Sequence, residues 1–194
     1  PPIATTREVA PGVHWLRMPL PFALDHINLW LVAERDGWAI IDTGYALPAV
    51  REAWRILLAQ FRPTRVIVTH FHPDHLGLAA WLMAEYHLPL FMSQGELLTG
   101  YAAWLQAPGH GYRDMVALFA RHALSQEGQQ PLLTRGAAYP IGVPELPPHY
   151  HRLRAGDRLT LGDTTWQVIV GCGHSPEHVS LYCAERQLLI SGDM

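Results

Sequence analysis

The chain has 194 residues, enough for one domain with a sizeable core. Hydrophobic residues make up 49% and charged residues 16%, which excludes a disordered chain and a coiled coil. A formal net charge of −3 offers no basic surface, so nucleic acid is not an expected partner.

All 14 basic residues are Arg, which excludes Schiff-base and P-loop lysine chemistry. The two cysteines, Cys172 and Cys183, cannot build a disulfide framework. Twelve histidines are the compositional outlier, and they point to metal or proton chemistry wherever they cluster. No charge-free apolar run reaches the length of a membrane span. The N-terminal PPIATTREV lacks a signal-peptide pattern, from which a cytoplasmic location is expected.

In chain order, Val13–Met18, Ile27–Ala33 and Trp38–Asp42 read as strands, with a turn at Asp36-Gly37. Pro48–Phe61 follows with helical periodicity, placing Val50, Trp54, Leu57, Leu58 and Phe61 on one face. Arg65–Thr69 is a β-branched run of the kind found in a buried strand. After HFHPDHLG come a helix over Leu78–Tyr86 and a strand at Leu88–Met92. Ser93–Gln130 predicts two helices divided at Pro108–Gly111, and Pro131–Pro148 predicts a loop. Strands return at Arg158–Leu161, Thr165–Gly171, Val179–Ala184 and Gln187–Ser191. The whole is a layered α/β domain with a mixed sheet.

His70, His72, Asp74 and His75 fall within six residues directly after the buried strand, where α/β sheets place their sites. Alternation at 70, 72 and 74 turns these side chains to one side, while Asp74 and His75 open a helix. Imidazole with carboxylate suits Zn, Fe or Mn.

THFHPDHLG resembles the H-x-H-x-D-H motif of the metallo-β-lactamase superfamily, which includes glyoxalase II-type thioesterases, lactonases, β-lactamases and nucleases. Three further segments resemble family marks: Ile40-Ile41-Asp42-Thr43-Gly44, Gly173-His174-Ser175-Pro176-Glu177-His178 and Ser191-Gly192-Asp193. The resemblance implies an αββα sandwich over residues 1–194, with a helical insertion at about 93–130. It implies that His70, His72 and His174 hold one metal and that Asp74 and His75 hold a second, with Asp193 bridging. Asp42 and His178 are then expected behind the ligands, although Asp42 fits an Asx-turn equally well.

Two departures stand out. Glu177 occupies a position where the family has Gly, and the chain stops at Met194 before the family's last ligand histidine. From that stop the natural protein is expected to continue, with one further histidine ligand.

The resemblance further implies two Zn ions, or Fe or Mn in their place. It implies hydrolysis of a small carbonyl ester or thioester by a hydroxide bridging the metals, with Asp74 and Asp193 orienting that hydroxide. A lactonase or β-lactamase is the nearest alternative, and an oxidoreductase like the one-iron persulfide dioxygenases is another. The expected partner is a small molecule rather than a membrane. His26, Trp104, His110 and Tyr112 are candidates for the substrate rim, and the helical stripe of the insertion suits the sheet, a cleft roof or a homodimer face. His149-Tyr150-His151 reads as solvated loop, and Cys172 as a small buried hydrophobe.

Overall fold

The computed structural model describes residues 1–194. The chain opens as an antiparallel meander of β1 (Thr6–Ala10), β2 (Val13–Pro19), β3 (His26–Glu34) and β4 (Gly37–Ile41). Parallel strands β5 (Pro63–Ile67), β6 (Leu90–Ser93) and β7 (His151–Leu153) extend it to seven strands in sequential order. A second, antiparallel sheet runs β11 (Leu188–Ile190), β10 (His178–Cys183), β9 (Thr164–Gly171), β8 (Arg158–Leu161).

The central stretches of β3, β4 and β5 bury residues on both faces, which explains their apolar runs. Leu29, Leu31, Ile40, Val66 and Val68 face one core, against α1 (Pro48–Leu58) and α3 (Ala79–Tyr86). Pro48 starts α1 and its apolar stripe of Val50, Trp54 and Leu57 lies on the sheet. Val32, Ala39, Ile41 and Ile67 face the other core, where Trp166, Val168, Val179 and Leu181 of the second sheet meet them. The expected layered α/β sandwich, with two sheets face to face, is the architecture observed.

The remaining helices follow the parallel strands: α2 (Pro73–Leu76) after β5, and α4 (Gln94–Trp104), α5 (Tyr112–Arg121), α6 (Gln126–Arg135) and α7 (Tyr139–Gly142) between β6 and β7. The middle region thus departs from the sequence expectation. Two helices were predicted there, and a loop from Pro131; instead α6 carries Pro131 in its interior and continues to Arg135. A helix can hold such a proline when the carbonyl left without a partner reaches water, and no residue of α6 is buried. The short strands β1 and β7 also escaped the periodicity reading. No helix is long and apolar enough to cross a membrane.

Candidate metal centre

β5 delivers Thr69 and His70 to the carboxyl edge of the parallel strands, and α2 swings Asp74 and His75 back over it. Gly77 permits that return. A Cβ at Gly77 would lie 2.4 Å from the carbonyl oxygens of Gly44 and Pro73, so backbone crowding fixes the motif's glycine. Thr43 locks the turn from below, its backbone N–H and Oγ1 both donating to the His75 carbonyl, at 2.8 and 2.7 Å. From the second sheet, the β9–β10 turn brings His174, and Gly192, at φ 57°, turns the chain so that Asp193 arrives beside it.

Asp42 organises the ligands from behind. It is buried and holds φ 62°, a left-handed conformation that Asp tolerates better than most residues. Its carboxylate accepts from the Thr69 backbone N–H, from Thr69 Oγ1 and from His75 Nδ1, each at 2.8 Å. The last contact keeps the Nδ1 proton of His75 and aims Nε2 inward. Thr69 Oγ1 gives its one proton to Asp42, so it accepts from His70 Nδ1 at 3.0 Å. His70 therefore also presents an unprotonated Nε2 to the centre.

Two donor groups result: His70, His72, His174 and Asp193 in one, Asp74, His75 and Asp193 in the other. In the first, His70 Nε2 lies 3.0 Å from His72 Nδ1 and 3.2 Å from His174 Nε2, and the latter two stand 3.0 Å apart. Donor atoms ~2.0–2.1 Å from a tetrahedral zinc stand roughly 3.3 Å from one another, so this triangle fits such an ion. Burial, reinforced by the neighbouring histidines, drives His70 far below its ordinary pKa and pushes His72 down to about 4. Neutral rings converging on one point are electron-pair donors that lack an acceptor.

The second group requires positive charge. Burial lowers the His75 pKa, but the charge of Asp42, hydrogen bonding to Asp193 and Asp42, and the charge of Asp74 outweigh it and push the ring up to about 10. Yet buried His75 Nε2 has no hydrogen-bond partner of good geometry; Asp193 Oδ1 is 3.2 Å away and Asp74 Oδ2 3.8 Å. A cation that accepts electron pairs would satisfy Asp74, His75 and Asp193 together. The donor set fits a metal ion in each group.

The groups open onto a cavity of about 380 Å³ lined by His72 and Asp74, by Phe22, Tyr45 and Tyr139, and by Tyr112, Met115 and Arg135 of α5 and α6. Burial raises the Asp74 carboxyl above its usual range, a shift partly offset by the charge of His75.

A family model described as the metallo-β-lactamase superfamily matches residues 23–194. The chain belongs to the metallo-β-lactamase superfamily. A crystal structure of a β-lactamase domain protein from Burkholderia ambifaria is 41% identical, with a TM-score of 0.81, covering 98% of this chain and 55% of that one. A probable metallo-hydrolase, YflN, of Bacillus subtilis is 25% identical over 96% of this chain and 65% of its own. A hydroxyacylglutathione hydrolase of Xylella fastidiosa is 27% identical over 90% of this chain and 47% of its own. The chain thus spans about half to two thirds of the length of these relatives. The superfamily resemblance and the α/β sandwich expected from sequence are both met.

The metallo-β-lactamase fold brings His70, His72, Asp74, His75, His174 and Asp193 to one place. His178 stands behind them, its Nε2 accepting from the Asp193 backbone N–H at 3.2 Å. Of the rim candidates, His110 and Tyr112 line the cavity. Trp104 and His26 do not. The face of α4 that carries Trp104 turns toward the α7–β7 connector, where its Nε1 donates to the Val143 carbonyl at 3.0 Å. His26 is held by Arg17 and Asp25 at the start of β3, outside the cavity lining. Cys172 is exposed rather than buried, because the β9–β10 turn projects to solvent, and His151 belongs to β7, stacked on Phe91.

Sequence reasoning missed Glu96. It is fully buried in the first turn of α4 and accepts from the backbone N–H of Phe71 (3.0 Å), from Ser175 Oγ (2.7 Å) and from the backbone N–H of Glu177 (2.6 Å). One carboxylate thereby ties the loop of His70 and His72 to the loop of His174. Glu177, at the family's glycine position, adds a bond from the Gly95 N–H to its Oε2 at 2.7 Å. The available signal was an acidic residue in a first turn directly after a strand ending at the site's edge.

Proposed function

We propose that this protein is a metal-dependent hydrolase of small carbonyl esters or thioesters that works with two metal ions, zinc being the expected pair. The observation that carries the reading is the pair of donor groups sharing Asp193 and opening onto one cavity. His70, His72, His174 and Asp193 would hold one ion, and Asp74, His75 and Asp193 the other. Bound there, the ions would supply a Lewis acid and a water acidified toward neutrality.

The chain's own groups do the rest. Asp42 and Thr69 orient His75 and His70, and Glu96 sets the spacing of the two ligand loops. Asp74 and Asp193 would orient the attacking water and take its proton. The acyl–O or acyl–S bond breaks as the water oxygen joins the acyl carbon, and the departing alcohol or thiol leaves with a proton. Phe22, Tyr45 and Tyr139 give the organic part of the substrate an apolar wall. The hydroxyacylglutathione hydrolase name of the Xylella relative supports an acyl substrate, and the B. subtilis name supports hydrolysis.

The test joins elemental analysis to a panel of esters, thioesters, lactones and β-lactams. The expected result is two transition-metal ions per chain and turnover of esters or thioesters, with His72→Ala emptying one site and abolishing turnover. A single iron per chain with oxygen consumption, or full activity in His72→Ala, overturns the reading.

A further inference from the structure

The cavity beside the metal ligands is not uniformly apolar. Its wall is built largely from Phe22, Tyr45, Met115, Leu132 and Tyr139, and it carries one guanidinium, that of Arg135, the last residue of α6. Arg135 has no carboxylate within 4.0 Å and no hydrogen-bond acceptor, unlike Arg65, which Glu34 holds at 2.8 Å. It is exposed, and its guanidinium carbon lies 5.5 Å from the centroid of the Phe22 ring, over its face. Phe22 is itself braced edge-on against Tyr45, the ring centroids 5.4 Å apart. A guanidinium over an aromatic face with no other partner has N–H donors free to fork a carboxylate.

We propose that Arg135 is an anion-recognising residue, and that the substrates are esters or thioesters whose cavity-borne part is apolar and ends in one carboxylate. The inference rests on the hydrolase reading above and specifies it. Asp74 and His72 fix where the scissile carbonyl lies, and Arg135 marks another point on the same wall. A cavity of about 380 Å³ suits a small substrate that reaches from the metal ligands toward Arg135. An apolar wall gives a ligand charge few partners, and Arg135 supplies the one guanidinium on it. The carboxylate can belong to the acyl group or to the leaving group, since either can point inward.

Two pairs of substrates separate these sources. The acyl arm compares the 4-nitrophenyl monoester of glutaric acid with its terminal methyl ester. The leaving-group arm compares 4-carboxyphenyl pentanoate with its methyl ester. For the metal-loaded protein, Arg135→Gln and Arg135→Lys, the readout is kcat/KM for the charged member divided by that for the neutral one. Wild type is expected to favour the charged member in one arm, which names the source. Arg135→Gln lowers that ratio on the order of tenfold, Arg135→Lys restores part of it, and added salt erodes it. Equal ratios in wild type and Arg135→Gln, or a wild-type preference for the neutral member in both arms, overturn the inference while the hydrolase reading stands. If the loaded wild type cleaves none of the four esters and no member of the wider panel, the hydrolase reading falls and takes this inference with it.

Discussion

The ligand loops and the α5–α6 hairpin form opposite walls of one cavity and are built on opposite principles. Around His70 and His75, Asp42, Thr43, Thr69, Glu96 and Gly77 are all buried, and each fixes a ligand through a hydrogen bond or a backbone contact. In the hairpin, Val116 is the one buried residue of α5 and α6 has none, while Met115, Leu118 and Phe119 are exposed. Precision is concentrated where electron pairs must converge within a few tenths of an ångström. Adaptability is left where an organic group of variable shape must enter.

Substitutions can break this contrast, and the largest effect is expected behind the ligands. Asp42→Asn keeps the shape but removes the charge and presents an NH2 where His75 Nδ1 must donate. Metal affinity, measured by competition with a chromophoric chelator, should fall roughly 10–100-fold. An unchanged affinity would mean that the ring is held by packing alone.

Glu96→Gln is the next test. Its amide oxygen can still accept from Phe71 N–H, but the charge-assisted bonds to Ser175 and Glu177 weaken. We expect a loss in metal affinity of about tenfold and a lowered Tm in the apo-protein. Glu96→Asp, charged but one methylene shorter, separates charge from reach: it should recover less affinity than the native residue and more than Gln. Identical affinities in all three proteins would show that the loops need no tie.

On the other wall, Tyr112→Ala should change KM by a few-fold with metal content intact, since Tyr112 lines the cavity. Trp104→Ala should do the reverse. Losing its bond to Val143 and its packing costs stability, about 1–3 kcal/mol by denaturant titration, and leaves KM unmoved. A KM effect from Trp104 with none from Tyr112 would invert the assignment of the two faces. The smallest perturbation is hydrogen exchange on the native protein: amides of residues 112–135 should exchange well before those of 63–77. Equal protection would mean that the hairpin is as rigid as the ligand loops.

How far the sequence discloses such a molecule depends on the range over which each feature is encoded. The HFHPDH segment is local. Four candidate ligands within six residues, after an apolar run, can be read without knowing the fold. His174 and Asp193 became legible only by resemblance, because nothing near them in the chain announces a metal. Facing was harder. Trp104 and Tyr112 looked alike as aromatic residues on a helical segment, and only the packing of α4 under the α7–β7 connector sends one away from the cavity. Pro131 concealed α6, since a proline inside a helix is tolerated only where water meets the freed carbonyl. Glu96 was hidden among apolar stripes because its three partners lie 25, 79 and 81 positions away along the chain.

His70 and His174, whose ring nitrogens stand 3.2 Å apart, are separated by 104 residues. A ribosome therefore exposes the HFHPDH segment long before either His174 or Asp193 exists to complete its coordination sphere. Closing so long a loop is a late, slow event in folding, and it brings the second sheet against the first. Metal capture by these two loops would thus coincide with the docking of the two sheets, and an ion held there would act as a latch on docked sheets rather than a seed for folding.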